Sequence, residues 1–499
     1  MALGSLLLQN GTVLQHRVEQ VQASRNTDVL IVNDRIAQIG SNLSAANATV
    51  LDCSDKIISP GLIDCHHHMW QTQLKGRHGD HTFLDYVTSA NLQAINFTAE
   101  DLFWGQLSGC LEALDAGTTC VIDNAHMSAG PGHGSAALKA TVTSRIRSVF
   151  CYGVTPFRVS EWTLSTLEMD RTPFPSWFFD QFESLARQAP FGKDGRVRLG
   201  FFFDSYFLPR ESIVDIFHRV RSWGVNLITS HFRHWSVSSG QSKIPEILES
   251  ASLLGPDVLL SHGNGATPSQ AEILTSAGMY IASTPDAEVF MASGKDPVAF
   301  HPDLLTCLGA DCHSCGPGSM LHQMQIAIAS DRAAQTSDAF EKNQYPKEFR
   351  AKVERAFNLV TINAARAVQM EDEIGSLAIG KLADVVVFDA DTPVMACAAE
   401  FDPLVAVVRH AGLREINTVI VGGEIVKQEG KLSPVVVDEE VKSDDVDVLS
   451  GATLTWKQVA SKLIASQESI QQRIQGVNIG LARKVLFSVF GKTEEELLV

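Results

Sequence analysis

Apolar and polar residues alternate along the first 56 positions of the chain. The segments SLLLQNGTVLQ, DVLIVNDRIAQIG and ATVLDCSDKII carry the two-residue period of half-buried strands, broken at turn residues such as Asn33 and Asp34. No helix-period segment intervenes, so residues 1–56 are expected to form a small β unit. From Ile57 onward, short runs of β-branched and aromatic residues alternate with longer segments of helical period. The runs are IISPGLID, TTCVIDN, RSVFCYGV, RVRLGFFFD, VNLITSHF, DVLLSHG, MYIASTP and LTCLGAD. Residues 100–116, 211–223, 244–252 and 268–277 between them show helical period. Strands alternating with helices in this way predict an α/β fold, a (β/α)8 TIM barrel across residues 57–370. An open doubly wound sheet would share the alternation, but no glycine-rich phosphate loop follows any of the runs.

Residues 349–368 read as a helix that closes the barrel, after which strand patterns return in IGSLAIGKLADVVVFD and LREINTVIVGGEIVKQEG. Pairing of these with the first strands predicts a small composite β-sandwich domain built from residues 1–56 and 371–434. The acidic stretch VDEEVKSDDVDV then sets off residues 435–499 as a linker and helical tail. In the tail, Thr455 and Gln458 stand in capping-box spacing, and Trp456, Val459, Ala460, Leu463 and Ile470 share a stripe that Gln467 interrupts. Such helices are expected to pack on the barrel or on a second subunit, which leaves homo-oligomerisation open.

Charge and cysteine content narrow the partners. A formal net charge of −17 excludes a general nucleic-acid-binding surface, which needs clustered Lys and Arg. Nine cysteines are scattered without the paired spacing of a secreted disulfide scaffold. The apolar start, Ala2 to Leu8, lacks a basic flank and runs straight into a turn at Asn10, and no apolar run reaches the length of a membrane span. The expected setting is cytoplasmic, with a small molecule as substrate and neither membrane nor nucleic acid as partner. In that setting the Asn-x-Ser/Thr matches at Asn10, Asn42, Asn47 and Asn96 go unmodified.

Candidate chemistry begins at PGLIDCHHHMWQTQLKG. In an extended chain His66 and His68 point to one face and His67 to the other, so two imidazoles can close on one metal ion. In a barrel of this kind chemistry gathers at the C-terminal ends of strands. The fifth run ends in His231, the sixth in His262 and the eighth in Asp311. Ligand-type residues at so many strand ends predict a divalent metal centre.

The segments PGLIDCHHH, ITSHF, LLSHG and LGAD, with TINAARAVQMEDEIGSLAIGKLADVVVFD, resemble the amidohydrolase superfamily, and most closely its branch of deaminases and triazine chlorohydrolases. MWQTQLKG and GTTCVID fit that branch too, and the resemblance spans residues 6–430. It implies that His66, His68, His231 and Asp311 bind one divalent metal ion, with zinc the first expectation. It implies that His262 contacts the metal-bound water or the developing oxyanion, and that Asp311 doubles as general base. Two-metal relatives carry a bridging lysine after strand four, where this chain reads RLGFFFDSYF, so a single ion is expected. Deaminases of the branch place a glutamate proton shuttle three residues after the strand-five histidine. Here that position is His234, a side chain able to move protons near neutral pH.

The implied function is hydrolysis of a non-peptide C–N bond in a small cyclic or aromatic molecule, deaminase-like. A decarboxylase or dechlorinase on the same site, or a non-catalytic scaffold, are the alternatives; a complete ligand set counts against the scaffold. Trp70 and Gln71 are expected at the pocket mouth, and His313 and Ser314 are candidates to face substrate. Cys312 and Cys315 form a CxxC without the HxE and PCxxC of the unrelated zinc deaminases, so they read as support for the loop after Asp311. His78, His81, His126 and His133 read as solvated loop residues, and Phe201 to Phe203 as barrel filling.

Overall fold

The run Ile57–Ile63, continuous in hydrophobicity, divides between two sheets in the computed structural model. The structure describes residues 4–497 apart from 128, 156–157, 171, 235–239 and 295–296. Strand β5 (Lys56–Pro60) lies in a sheet with β1 (Ser5–Arg17), β2 (Gln20–Val32), β3 (Arg35–Gly40) and β4 (Thr49–Asp52). Strand β6 (Leu62–His68) opens the barrel. The hinge is Gly61, where a Cβ would stand 2.1 Å from the Thr119 hydroxyl, so only glycine lets the chain change sheets this close to its neighbour. The first barrel strand therefore starts at Leu62 and not at Ile57.

The barrel continues through β7 (Thr118–Ala125), β8 (Arg147–Tyr152), a side hairpin of β9 (Arg158–Trp162) and β10 (Leu167–Asp170), and β11 (Val197–Phe202). It proceeds through β12 (Ile228–Phe232), β13 (Val258–His262), β14 (Tyr280–Ser283), β15 (Leu305–Leu308) and β16 (Asp311–Cys312). All barrel neighbours pair in parallel. The eighth strand is split. Its first half, β15, pairs with β14, and its second half, β16, pairs with β6, which closes the ring.

The barrel interior holds Ile63, Cys65, Cys120, Ile122, Val149, Cys151, Phe202, Leu259 and Cys307, plugged at one end by Ala364, Ala365 and Val368. Phe201 and Phe203 instead join the layer between strands and outer helices, so of the three phenylalanines only Phe202 fills the barrel.

Strands β17 (Val385–Asp389), β18 (Ile416–Val421), β19 (Glu424–Gln428) and β20 (Lys431–Leu432) complete the other sheet. Its order is β20-β19-β18-β17-β5-β1-β2-β3, with β4 beside β1, and the join between the two ends of the chain is the antiparallel β5–β17 pair. The acidic stretch after it is not a free linker. Val435, Val437, Val441 and Val446 are buried, and the fully buried Lys139 ammonium donates to Val441 O, Asp447 and Ser450. Helix Trp456–Ile474 follows with the expected capping box at Thr455, then helix Ile479–Phe490. Val459 and Ile470 are buried, whereas Trp456 is 45% exposed. Ser466 Oγ donates to Asp101 and Arg473 pairs with the same carboxylate, while Ala482 and Leu486 cover Trp70, Leu74 and Tyr86. The tail thus packs on the barrel, over the loop that follows β6. Among the described residues no helix is long and apolar enough to cross a membrane.

Candidate metal centre

Strict alternation from Ile63 and Cys65, both inside the barrel, would send His67 inward. A register shift between Asp64 and His67 in the β6–β7 pairing resets the parity, so His66 and His68 face the barrel mouth. Gly309 makes room for this: a Cβ there would lie 2.7 Å from the His66 Cβ and carbonyl oxygen. His67 turns the other way, donates from Nδ1 to Asp64 at 2.7 Å, and lies against the His313 ring at 4.2 Å.

Two further candidates arrive on left-handed backbone. His262 has φ +74° and Asp311 φ +66°, a conformation uncommon for residues with a Cβ and concentrated at functional sites. Leu260 packs outside the barrel and Leu259 inside, so alternation alone would send His262 outward. The left-handed turn brings its ring back, to 5.1 Å from that of His66 and 5.5 Å from that of His231.

The donor atoms converge. His68 Nε2 and His231 Nε2 are 3.3 Å apart, and Asp311 Oδ1 lies 3.4 Å from His66 Nε2 and 3.5 Å from His68 Nε2. Ligand atoms of His66, His68 and His231, and of His66, His262 and Asp311, fall within 4.8 Å of one another. Burial, opposed by Asp311, holds the His66 imidazole below its usual range; burial and then His126 hold His68 well below it. Burial raises Asp311, but the adjacent His66 ring and the other surrounding imidazoles outweigh it and keep the carboxyl well below the usual carboxylate range. Lone-pair imidazoles around an ionised carboxylate are the donor set of a divalent ion. His66 Nε2 is buried without a hydrogen-bond partner, which fits an atom meant for such an ion.

Outer partners fix the rings. His231 Nδ1 donates to Asp204 Oδ2 at 2.7 Å, and Asp204 Oδ1 accepts the His231 backbone N–H at 2.9 Å. The His68 Nδ1–H donates to Asn124 O at 3.0 Å, and the Asn124 side-chain amide meets His66 Nδ1 at 2.8 Å. The amide atom that meets Nδ1 is Nδ2; exchanging the amide's oxygen and nitrogen would let it accept the ring N–H and leave Nε2 with a lone pair.

His262 is set differently. Its Nε2 lies 2.5 Å from Arg233 NH2, which can only donate, so Nε2 is an acceptor and Nδ1 carries the proton given to Thr284 Oγ1 at 2.9 Å. Thr284 Oγ1 in turn donates to Glu288, a buried carboxyl that burial, eased by its hydrogen bonds, pushes up to about 7.

The other expected site residues are not brought to the centre. His234, two residues past the end of β12, lies against the Phe232 ring, and its Nε2 donates to Gln270 Oε1 at 2.8 Å, so it is turned away from the site expected of a shuttle. His313 stacks behind β6 on His67, with Glu112 3.1 Å from its Nδ1, and does not face the ligand cluster. Gln71 and Ser314 spend their hydrogen bonds on each other and on Tyr86. Trp70 is not at a mouth but fully buried, edge-on to Phe97. Cys312 and Cys315 are free thiols 3.5 Å apart, the latter against Met291. His126, read from sequence as solvated, is buried 4.3 Å from the His68 ring, and His78 is buried against His81.

Residues 229–426 match the amidohydrolase family, a span that contains His231, His262 and Asp311. The chain carries an amidohydrolase-family domain. It is 26% identical over 429 residues to a 5'-deoxyadenosine deaminase of Methanobrevibacter smithii, covering 83% of this chain and 90% of that one. It is 26% identical over 441 residues to a 5-methylthioadenosine/S-adenosylhomocysteine deaminase of Symbiobacterium thermophilum, covering 85% and 94%. The fold is similar to a zinc-bound adenosine deaminase from Xanthomonas campestris, with TM-score 0.75 and 17% identity over 94% of this chain and 99% of that one. It is also similar to a zinc-complexed atrazine chlorohydrolase from Arthrobacter aurescens, with TM-score 0.72 and 16% identity over 93% and 100%.

Sequence reasoning missed three residues of the candidate site. Asp204 was readable as the acidic end of FFFD on strand four, and Asn124 as the polar end of TTCVIDN. Arg233 was readable as the residue two beyond His231, on the same face of the strand.

Proposed function

We propose that this protein is a single-metal hydrolase that uses His66, His68, His231 and Asp311 to hold a divalent ion, zinc by preference, and cleaves a non-peptide C–N bond of a small cyclic substrate. The observation that carries the reading is the cluster of His66, His68 and His231 ring nitrogens, with His66 and His68 Nε2 at 3.4 and 3.5 Å from Asp311 Oδ1 and His66 Nε2 buried without a hydrogen-bond partner. The catalytic unit is the barrel, with its first strand at Leu62. His66, His68, His231 and Asp311 would hold a divalent ion, which would supply a coordinated water of near-neutral pKa and polarise the substrate. Asp311 accepts the proton of the attacking water and returns it to the leaving nitrogen. His262, with Nε2 accepting from Arg233 and its Nδ1–H given to Thr284 Oγ1, is a neutral ring with no N–H left for an oxyanion. His234 has no part in proton transfer, because Gln270 holds it outside the site.

The named deaminases among the similar proteins make amino-purines and other aromatic amines the first substrates to try. Zinc-loaded protein is expected to release ammonia from at least one member of a panel of aminopurines, aminopyrimidines and aminotriazines. The Asp311→Asn variant should lose at least about a thousandfold in turnover while keeping most of its zinc. Purified protein with less than about half an ion per chain after zinc loading, or near-wild-type turnover by Asp311→Asn, would overturn the reading.

A further inference from the structure

We infer that Cys312 and Cys315 form a thiol–disulfide site, closed by a small disulfide of the glutathione class and reopened by the matching thiol. The inference goes beyond the hydrolase reading and does not depend on it. The two Sγ atoms are 3.5 Å apart in the turn that follows Asp311, and both cysteines are free thiols. A disulfide bond is about 2.05 Å long, so the sulfurs must approach by roughly 1.5 Å. That motion falls on one partner. Cys312 is buried and held in the β16–β6 pair opposite His68, with its backbone N–H donating to Ala310 O at 2.9 Å. Cys315 is half-buried in the turn beyond the strand, followed by half-buried Gly316 and exposed Pro317. Among the described residues neither cysteine joins a group of three His, Cys, Asp or Glu side chains at metal-binding distance, so the pair is no closed zinc site.

The difference in access sets the order of the exchange. The Cys315 thiolate attacks one sulfur of the small disulfide and expels a thiolate, which takes up the proton that Cys315 released. The Cys312 thiolate then attacks Cys315 Sγ and expels the other half of the small molecule, which takes up the Cys312 proton. Two protein thiols are oxidised to one S–S bond, and one small disulfide is reduced to two thiols. Burial keeps Cys53, Cys65, Cys110, Cys120, Cys151 and Cys307 out of this chemistry, and only Cys397 is exposed. Closure also draws Cys315 Sγ off Met291 Sδ, which it touches at 3.3 Å. The Met291 carbonyl accepts the Phe83 N–H at 2.9 Å, and the Arg233 guanidinium, 3.8 Å from Asp311, lies over the Phe83 ring. Oxidation of the turn therefore reaches the wall of the candidate metal centre through Met291 and Phe83.

The test uses the full chain carrying Cys397→Ser, which removes the exposed thiol. Glutathione disulfide is added, the remaining thiols are blocked by alkylation, and the peptides are mapped by mass spectrometry. The expected product is a Cys312–Cys315 disulfide, with both thiols restored by excess reduced glutathione. Cys312→Ser should stop at a mixed disulfide on Cys315. In Cys315→Ser, Cys312 should react at least about tenfold more slowly than Cys315 does in Cys312→Ser, because it is buried. In spectra of protein labelled with 13C-methyl methionine, oxidation should shift the Met291 signal, assigned with Met291→Leu, and reduction should return it. Both thiols still open to alkylation after oxidation, equal rates in the two single variants, or a disulfide that resists reduced glutathione would each overturn the inference. So would a Met291 signal that stays in place while the disulfide forms.

Discussion

Asp204 accepts two hydrogen bonds from a single histidine, one from the ring and one from the backbone of His231. That grip fixes which ring nitrogen carries the proton, and so which one is free to bind a metal. Asp204→Asn keeps the shape but loses the charge that favours the Nδ1–H tautomer. Zinc affinity is expected to fall about 10- to 100-fold, read by competition with a chromogenic chelator, with the thermal midpoint of the zinc-free protein nearly unchanged. At this scale the sequence was informative about identity and weak about aim. His66, His68, His231, His262 and Asp311 were all legible as strand-end residues. The direction of a side chain beyond a strand end depends on one or two backbone dihedrals. The left-handed turn that brings His262 back to the site has no signature in DVLLSHG, and nothing in HFRHW says that the arginine enters and the histidine leaves.

Elements were read more securely than their edges. All eight barrel strands lie where the runs of β-branched residues placed them, because a strand buried on both faces must be almost wholly apolar. Two local features escaped that pattern. The division of Ile57–Ile63 at Gly61 is invisible because both halves are equally apolar, and the parity reset before His67 arises from pairing with β7. The contact between the terminal sheet and the barrel was out of reach as well. There β1 sends His16 to donate to Asn358 at 3.1 Å and to stack on Phe357. Burial lowers the His16 pKa to about 4, against 6.5 for the free side chain. The folded state therefore favours the neutral ring. Its contribution is complete above about pH 6.5 and drains away as the pH falls toward 4, by roughly 2 to 3 kcal/mol. Urea midpoints of the wild type and His16→Gln should differ most at pH 7.5 and converge toward pH 4.5; parallel curves would refute this.

For the whole molecule, the ligands of the proposed ion come from β6, β12 and the split eighth strand, so its binding ties together parts of the barrel far apart in the chain. An ion that binds only the folded form adds stability as its concentration exceeds the dissociation constant. Removal of zinc by a strong chelator should lower the unfolding midpoint by on the order of 5 °C or more, with recovery on adding zinc back. An unaltered midpoint would mean that no ion is held at this site.

The pairing of β5 with β17 has a consequence for how the chain is made. Between Pro60 and Val385 the ribosome must add the whole barrel, which at 5 to 20 residues per second takes roughly 15 to 65 seconds. Throughout that interval β5 displays a bare row of backbone donors and acceptors, an adhesive edge on a sheet that is still half built. The nascent protein is then at its most vulnerable to pairing with a neighbour on the same message, and a chaperone that shields a lone strand edge would act during this interval. Slowing translation within the barrel should raise the aggregated fraction; slowing it after residue 432 should not.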